Sequence, residues 1–276
     1  IYFMERFLLI RNKNFFDKHN IVTINNTNDI PNKNAILFIG SHVKSIDNPK
    51  HILKYFAAIS LKQHQYVIIV GKGDGSLKPN IIIPKNIKAI YCTNINYTHD
   101  KIKFMPMGCD FRSIQSFHKA YIKNKHRNIL CYCNFSLNTH SIRRKIYKHL
   151  RDKTFITFDH MGSFLNYNIS RDQFFRNLGN SKFVICPRGA ALDTFRFYDT
   201  IYSGAIPIVI KTTFHKLPFF DEVPILFLDN EADFKNLTED FLNKTYDKLI
   251  QKKKNYFNLN MNHFISEIKK CLIMGI

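Results

Sequence analysis

Residues 183–210 read FVICPRGAALDTFRFYDTIYSGAIPIVI, and the order of residue types in this stretch decides the fold. The apolar run 183–186 has the length and composition of a buried parallel strand, which Pro187 and Gly189 end. Asp193 is placed as an N-cap, residues 194–203 follow as a helix, and Gly204 stops it. A second apolar run, 206–210, supplies the next strand. Phe195, Tyr198 and Tyr202 recur at helical spacing and are expected to face the core. Arg196 and Asp199, three residues apart, then share the neighbouring, more accessible face.

A cation and a carboxylate near a helix N-terminus have a chemical use. Free N–H groups and the positive end of the helix dipole attract phosphate, an arginine fork grips a diphosphate, and a carboxylate one turn on accepts from ribose hydroxyls. A nucleoside diphosphate satisfies all three. An exposed i,i+3 ion pair on an ordinary crossover helix accounts for the same two residues, and the sequence leaves both readings open.

Outward from this segment, strand-like runs alternate with helical patterns. The runs are 35–39, 66–70, 87–91, 103–105, 129–133, 155–158, 183–186, 206–210 and 225–228. That alternation predicts an α/β fold with parallel sheets. Between the first two runs Asn48 caps a helix with Pro49 in its first turn and Ile52, Leu53 and Phe56 on its apolar face. The polar stretch 112–127 precedes a new strand, which puts a domain boundary near Lys125 and divides the chain into 1–125 and 126–276. Leu237, Phe241, Leu242, Tyr246 and Leu249 mark one late amphipathic helix, and Phe264, Ile265, Ile268 and Leu272 another.

A chain of 276 residues has room for two ordinary domains. Its 41 Lys and Arg against 21 Asp and Glu give a net charge of +20, which favours anionic partners: sugar nucleotides, acidic glycans, nucleic acid or a membrane surface. Heavy use of Ile, Lys and Asn points to an AT-rich genome and accounts for part of that charge. Cys92, Cys109, Cys131, Cys133, Cys186 and Cys271 form no CxxC pair and sit mostly in apolar runs, so buried free thiols are expected over disulfides or zinc. No apolar run of membrane-spanning length and no signal-peptide pattern occurs, which predicts a soluble, cytoplasmic chain; an anchor removed from before Ile1 stays open.

Further polar residues follow predicted strands. Asp74, within Gly71-Lys72-Gly73-Asp74-Gly75-Ser76, is the first candidate for a general base; an Asp-Gly turn is the alternative. His42 is the second candidate, or a hydrogen-bonded structural histidine. After Met107 and Gly108, Asp110 is read as a helix cap. Arg143 and Arg144 open a helix, where one can reach a diphosphate or both are solvated. Asp229, Glu231 and Asp233 resemble a metal-binding acidic cluster, yet helix capping before Phe234 explains them.

At Ser181, Lys182, Phe183, Pro187, Arg188, Gly189, Thr194, Arg196, Asp199, Gly204, Ile206, Pro207 and Val209 the chain resembles the exostosin-like glycosyltransferases. Their pattern is S-K-F-x-x-x-P-R-G, a hydroxyl residue, x-R-x-x-E, then G-x-I-P-V. The likeness continues through Leu217-Pro218-Phe219-Phe220 and back to Arg143 and Arg144, over about the last half of the chain. The family's usual glutamate is Asp199 here, one methylene shorter. The resemblance implies a GT-B fold, two Rossmann-like domains facing a cleft, with a C-terminal helix crossing back to the first. It implies inverting transfer from a UDP-sugar to a glycan hydroxyl with no metal and no other cofactor. Arg196, Arg188, Arg144, Thr194 and Gly189 would hold the diphosphate, Asp199 the ribose, and Asp74 or His42 would act as base. Likeness to viral glycan-building xylosyltransferases implies UDP-xylose. Two other readings remain at this point: a DNA-base glucosyltransferase, which uses the positive charge, and a non-catalytic glycan- or nucleic-acid-binding protein on the same scaffold.

Overall fold

The computed structural model describes residues 13–39, 49–71, 77–109, 126–159, 169–221, 223–251 and 261–274. The chain divides into two compact units, Ile1–Met107 with Leu259–Ile276, and Gly108–Asn258. The expected boundary near Lys125, Asp110, Asp74 and His42 all lie outside the described residues.

The first unit is built on a five-stranded sheet in the order β1 (Ile21–Ile24), β2 (Ala35–Ile39), β3 (Tyr66–Val70), β4 (Ile87–Cys92) and β5 (Ile102–Phe104). Every neighbouring pair is parallel. All residues of β2 and β3 are buried, as an uninterrupted apolar run requires when both faces of a parallel sheet are covered. Helix α1 (Lys13–Lys18) precedes the sheet. Helix α2 (Pro49–Ser60) contributes Ile52, Tyr55, Phe56 and Ile59 to the core, while Leu53 lies half exposed, off the expected apolar face. Asn86 holds the end of α2 by donating from Nδ2 to the carbonyls of Ile59, Lys62 and His64 at 2.7, 3.1 and 3.2 Å. The chain's last helix, Met261–Met274, belongs to this unit and packs Ile265, Ile268 and Cys271 inward against β2, β3 and β4. It is labelled α7 below.

The second unit contains β6 (Ile129–Cys133), α3 (Ser141–Leu150), β7 (Ile156–Phe158), α4 (Arg171–Asn180), β8 (Ser181–Ile185), α5 (Phe195–Tyr202), β9 (Ile206–Ile210), β10 (Leu226–Leu228) and α6 (Glu239–Ile250). Its sheet is also wholly parallel, in the order β10-β9-β8-β6-β7. The chain runs from β6 outward to β7, returns to the other side of β6 as β8, and then proceeds to β9 and β10. Strand order therefore reverses between β6 and β8, and the loops leaving their C-terminal ends diverge. In open α/β sheets that crevice is where ligands bind.

Strand β1 is absent from the sequence reading. Helix α5 begins one residue later than expected, with Thr194 as N-cap instead of Asp193. Its core face is Phe197, Tyr198 and Ile201 in place of Phe195, Tyr198 and Tyr202. All six cysteines are free and buried. No described helix is long and apolar enough to cross a membrane.

Candidate active site

The β6–β8 crevice is held in shape by Arg143. Its position on α3 matches the inward stripe of Ile146 and Leu150, so the guanidinium is carried under the loops, where it is 8% exposed. Nε donates to Arg188 O at 2.8 Å, Nη2 to Pro187 O at 3.1 Å and Nη1 to Ser136 O at 3.1 Å. One side chain thus ties the loop after β6 to the loop after β8. Gly189 belongs to the same clamp: a Cβ there would stand 3.4 Å from Arg143 Nη2. Burial, with the charge of Arg196 adding to it, lowers the Arg143 pKa to about 10, so the group stays protonated at neutral pH.

Arg196, in the first turn of α5, crosses to the opposite wall. Its Nη2 donates to Asn134 Oδ1 at 3.1 Å, and its guanidinium lies 4.7 Å from the ring centroid of Phe174. Phe174 is positioned by α4, which Asn177 anchors to Asp159 Oδ2 at 2.6 Å, the atom that also accepts from Tyr132 at 2.6 Å. Arg196 Nη1 and Asn134 Nδ2 are both buried and have no hydrogen-bond partner among the described residues. Buried donors left unmade are costly, so each calls for a partner such as a water or a ligand. A cation's donor at the head of a helix, with an amide donor on the residue it is bonded to, suits an anion.

Asp199, one turn further on, is 6% exposed. This corrects the expectation of an accessible face shared with Arg196; the helix is rotated so that Asp199 faces the interior. Thr194 caps α5 through its backbone while its hydroxyl makes no capping bond. Arg188 folds back on its own loop, Nε donating to Gly189 O at 3.2 Å and Nη2 to Ala190 O at 2.9 Å. Arg144 is exposed on α3 and donates to Asn138 Oδ1 at 2.6 Å, so of the neighbouring arginines it is Arg143 that the fold turns inward. Beneath the loop Cys186 is fully enclosed beside Thr200, their side-chain oxygen and sulfur 3.3 Å apart, and burial raises its thiol pKa to about 12.

On the other flank of α5, at the C-terminal ends of β8 and β9, a cavity of about 60 Å³ is lined by Arg188, Asp193, Thr194, Phe197, Phe214 and His215 among others.

An exostosin GT47 domain matches residues 72–225. The chain belongs to the exostosin GT47 family. The fold agrees: a crystal structure of an α1,3-fucosyltransferase superposes with a TM-score of 0.51 at 15% identity, covering 91% of this chain and 80% of that one. The apo structure of OtsA gives 0.54 at 8% identity, covering 89% and 75%. The architecture is GT-B, and the chain is a glycosyltransferase with a nucleotide-sugar donor and a glycan acceptor.

Of the residues expected at the donor site, Arg196 lies on the crevice and Arg188 and Thr194 line the cavity on its flank, whereas Asp199 faces the interior and Arg144 is exposed. Asn134 was missed. Its signal was a polar residue directly after a buried strand, at the end of the sheet where ligands collect. Arg143, expected with Arg144 to reach the diphosphate or lie solvated, instead clamps the two loops, in line with its sharing the spacing of Ile146 and Leu150. The acidic residues after β10 serve the backbone: Asp233 Oδ2 accepts from the amides of Asp229 and Asn230 at 2.9 and 3.0 Å, Asn230 caps residues 231–236, and Glu231 pairs with Lys145 at 2.8 Å.

Proposed function

We propose that this chain transfers a sugar from a UDP-sugar to a glycan hydroxyl with inversion, and that Arg196 and Asn134 grip the departing diphosphate. The observation that carries this reading is the buried, unpartnered Nη1 of Arg196 at the head of α5. Leaving-group charge is stabilised by donors fixed before the reaction, and here a guanidinium, an amide and a helix N-terminus supply them. Arg188 joins them by unfolding from its own loop, and Thr194 offers its unused hydroxyl. The cationic donors replace a bridging metal, so the reaction is metal-independent. Asp199 orients the ribose, and Asp74 is the general base, with His42 as the alternative. Xylose is the sugar proposed, on the likeness to viral glycan-building enzymes.

Calorimetric titration of UDP into the wild type and Arg196→Ala tests the central claim. Loss of a charged hydrogen bond corresponds to about ten- to a hundredfold weaker binding. A folded Arg196→Ala protein with wild-type UDP affinity would remove Arg196 from the donor site. A thermal-shift series of nucleotide sugars identifies the donor, since a ligand that binds only the native state raises its melting temperature. A larger shift with another UDP-sugar than with UDP-xylose overturns the xylose assignment.

A further inference from the structure

We infer that His215 reads the nucleobase of the donor, donating one hydrogen bond from Nε2 to the substituent at C4 of a pyrimidine and thereby selecting the C4 carbonyl of uracil over the C4 amino group of cytosine. The inference rests on the donor reading of Arg196 and deepens it.

The tautomer of His215 is set by its own turn. The backbone N–H of Thr212 donates to His215 Nδ1 at 3.2 Å, so Nδ1 is an acceptor and the ring proton resides on Nε2. The ring cannot easily turn away. It packs edge-on against Phe214, Phe220 and Phe227, with centroids 5.3, 5.1 and 5.5 Å away. Burial lowers its pKa to about 4, which keeps the imidazole neutral across the physiological range. Nε2 is thus a donor of fixed direction and has no acceptor among the described residues. A carbonyl oxygen complements it, whereas an exocyclic amino group meets it donor against donor.

The place suits a base edge. His215 lines the cavity of about 60 Å³ beside the apolar Phe197, Val209 and Phe214, with Arg188, Asp193 and Thr194 on its polar side. That space admits an exocyclic oxygen and the adjoining ring edge. His215 follows β9, whereas Asn134, the partner of Arg196, follows β6, with β8 between.

The test is calorimetry of UDP, CDP and inorganic diphosphate with the wild type, His215→Ala and His215→Phe, the last keeping the aromatic packing without the donor. The wild type is expected to bind UDP about tenfold more tightly than CDP. Both variants should bind UDP as weakly as CDP while their affinity for diphosphate is unchanged. Absence of UDP preference in the wild type overturns the inference without reference to any variant. Retention of the preference in a folded variant also overturns it, as does equal weakening of UDP and CDP, which would put a ribose or sugar hydroxyl at Nε2. In those cases diphosphate binding that still depends on Arg196 leaves the donor reading standing. Failure of the wild type to bind UDP or diphosphate at all overturns both.

Discussion

Arg143 and Arg196 lie on the same crevice, and their hydrogen bonds give them different work. Arg143 uses each of its three nitrogens to donate to a backbone carbonyl. Arg196 gives one bond to Asn134 and leaves Nη1 without a partner among the described residues. Arg143→Met should therefore act on folding, because it strips partners from carbonyls in a buried loop crossing; the expected loss is about 3 kcal/mol or more. Urea unfolding measures it, and a loss under about 1 kcal/mol would show that the loops hold without the clamp. The adjacent arginines could have been told apart in the sequence, since only Arg143 falls in line with Ile146 and Leu150. The direction of Arg196 could not, because it depends on Phe174 and Asn134, distant in sequence. His215 supplies a pH test. Its folded-state pKa of about 4 lies below the ordinary 6.5, so the unfolded chain binds more protons between these values and stability falls as pH drops through that window. The limiting slope is about 1.4 kcal/mol per pH unit for one group. His215→Phe should flatten the decline in urea midpoint from pH 7 to pH 5; an equally steep decline in the variant would mean that the ring is not held neutral by burial.

At the level of elements, helix α5 carries the site, and both of its ends are defined by local chemistry. Its end was legible: Gly204 has φ of 79°, and its N–H bonds to Ile201 O at 2.8 Å while Ala205 N–H bonds to Thr200 O at 3.1 Å. These bonds turn the chain directly into β9. A left-handed conformation costs a residue with a Cβ about 1–2 kcal/mol. Gly204→Ala should lower stability by that amount, read from urea unfolding; an unchanged midpoint would show that the turn re-forms with negative φ. The start of α5 was less legible because Asp193 and Thr194 are both good caps, and the choice between them rotates the helix. That rotation put Phe197 in the core and Asp199 inside. Strand β1 escaped notice for another reason: Ile21–Ile24 is four residues long with Thr23 in it, at the edge of its sheet, and its pairing with β2 supplies what periodicity does not.

At the scale of the molecule, alternating strands and helices were enough to give two parallel α/β sheets, while the strand-order reversal at β6 and β8 was not, since it depends on which strands pair. The GT47 match spans residues 72–225, so it includes Asp74 and excludes His42. Asp74, proposed above as the general base, belongs to the first unit, whereas the proposed donor grip belongs to the second. Asp74→Asn keeps the shape and hydrogen-bonding capacity of the side chain and removes its basicity. Turnover should fall about a hundredfold or more, with UDP affinity nearly unchanged, because a base acts on the acceptor hydroxyl and a diphosphate is held by cations. His42→Gln should cost less. The assays belong in excess EDTA, where the wild type is expected to keep its activity; loss restored by manganese or magnesium would give the leaving group a metal in place of Arg196 and Asn134. Near-normal turnover of Asp74→Asn with an inactive His42→Gln would reverse the two roles. Activity in both variants would move the base elsewhere in the first unit and leave the glycine-flanked Asp74 as a turn.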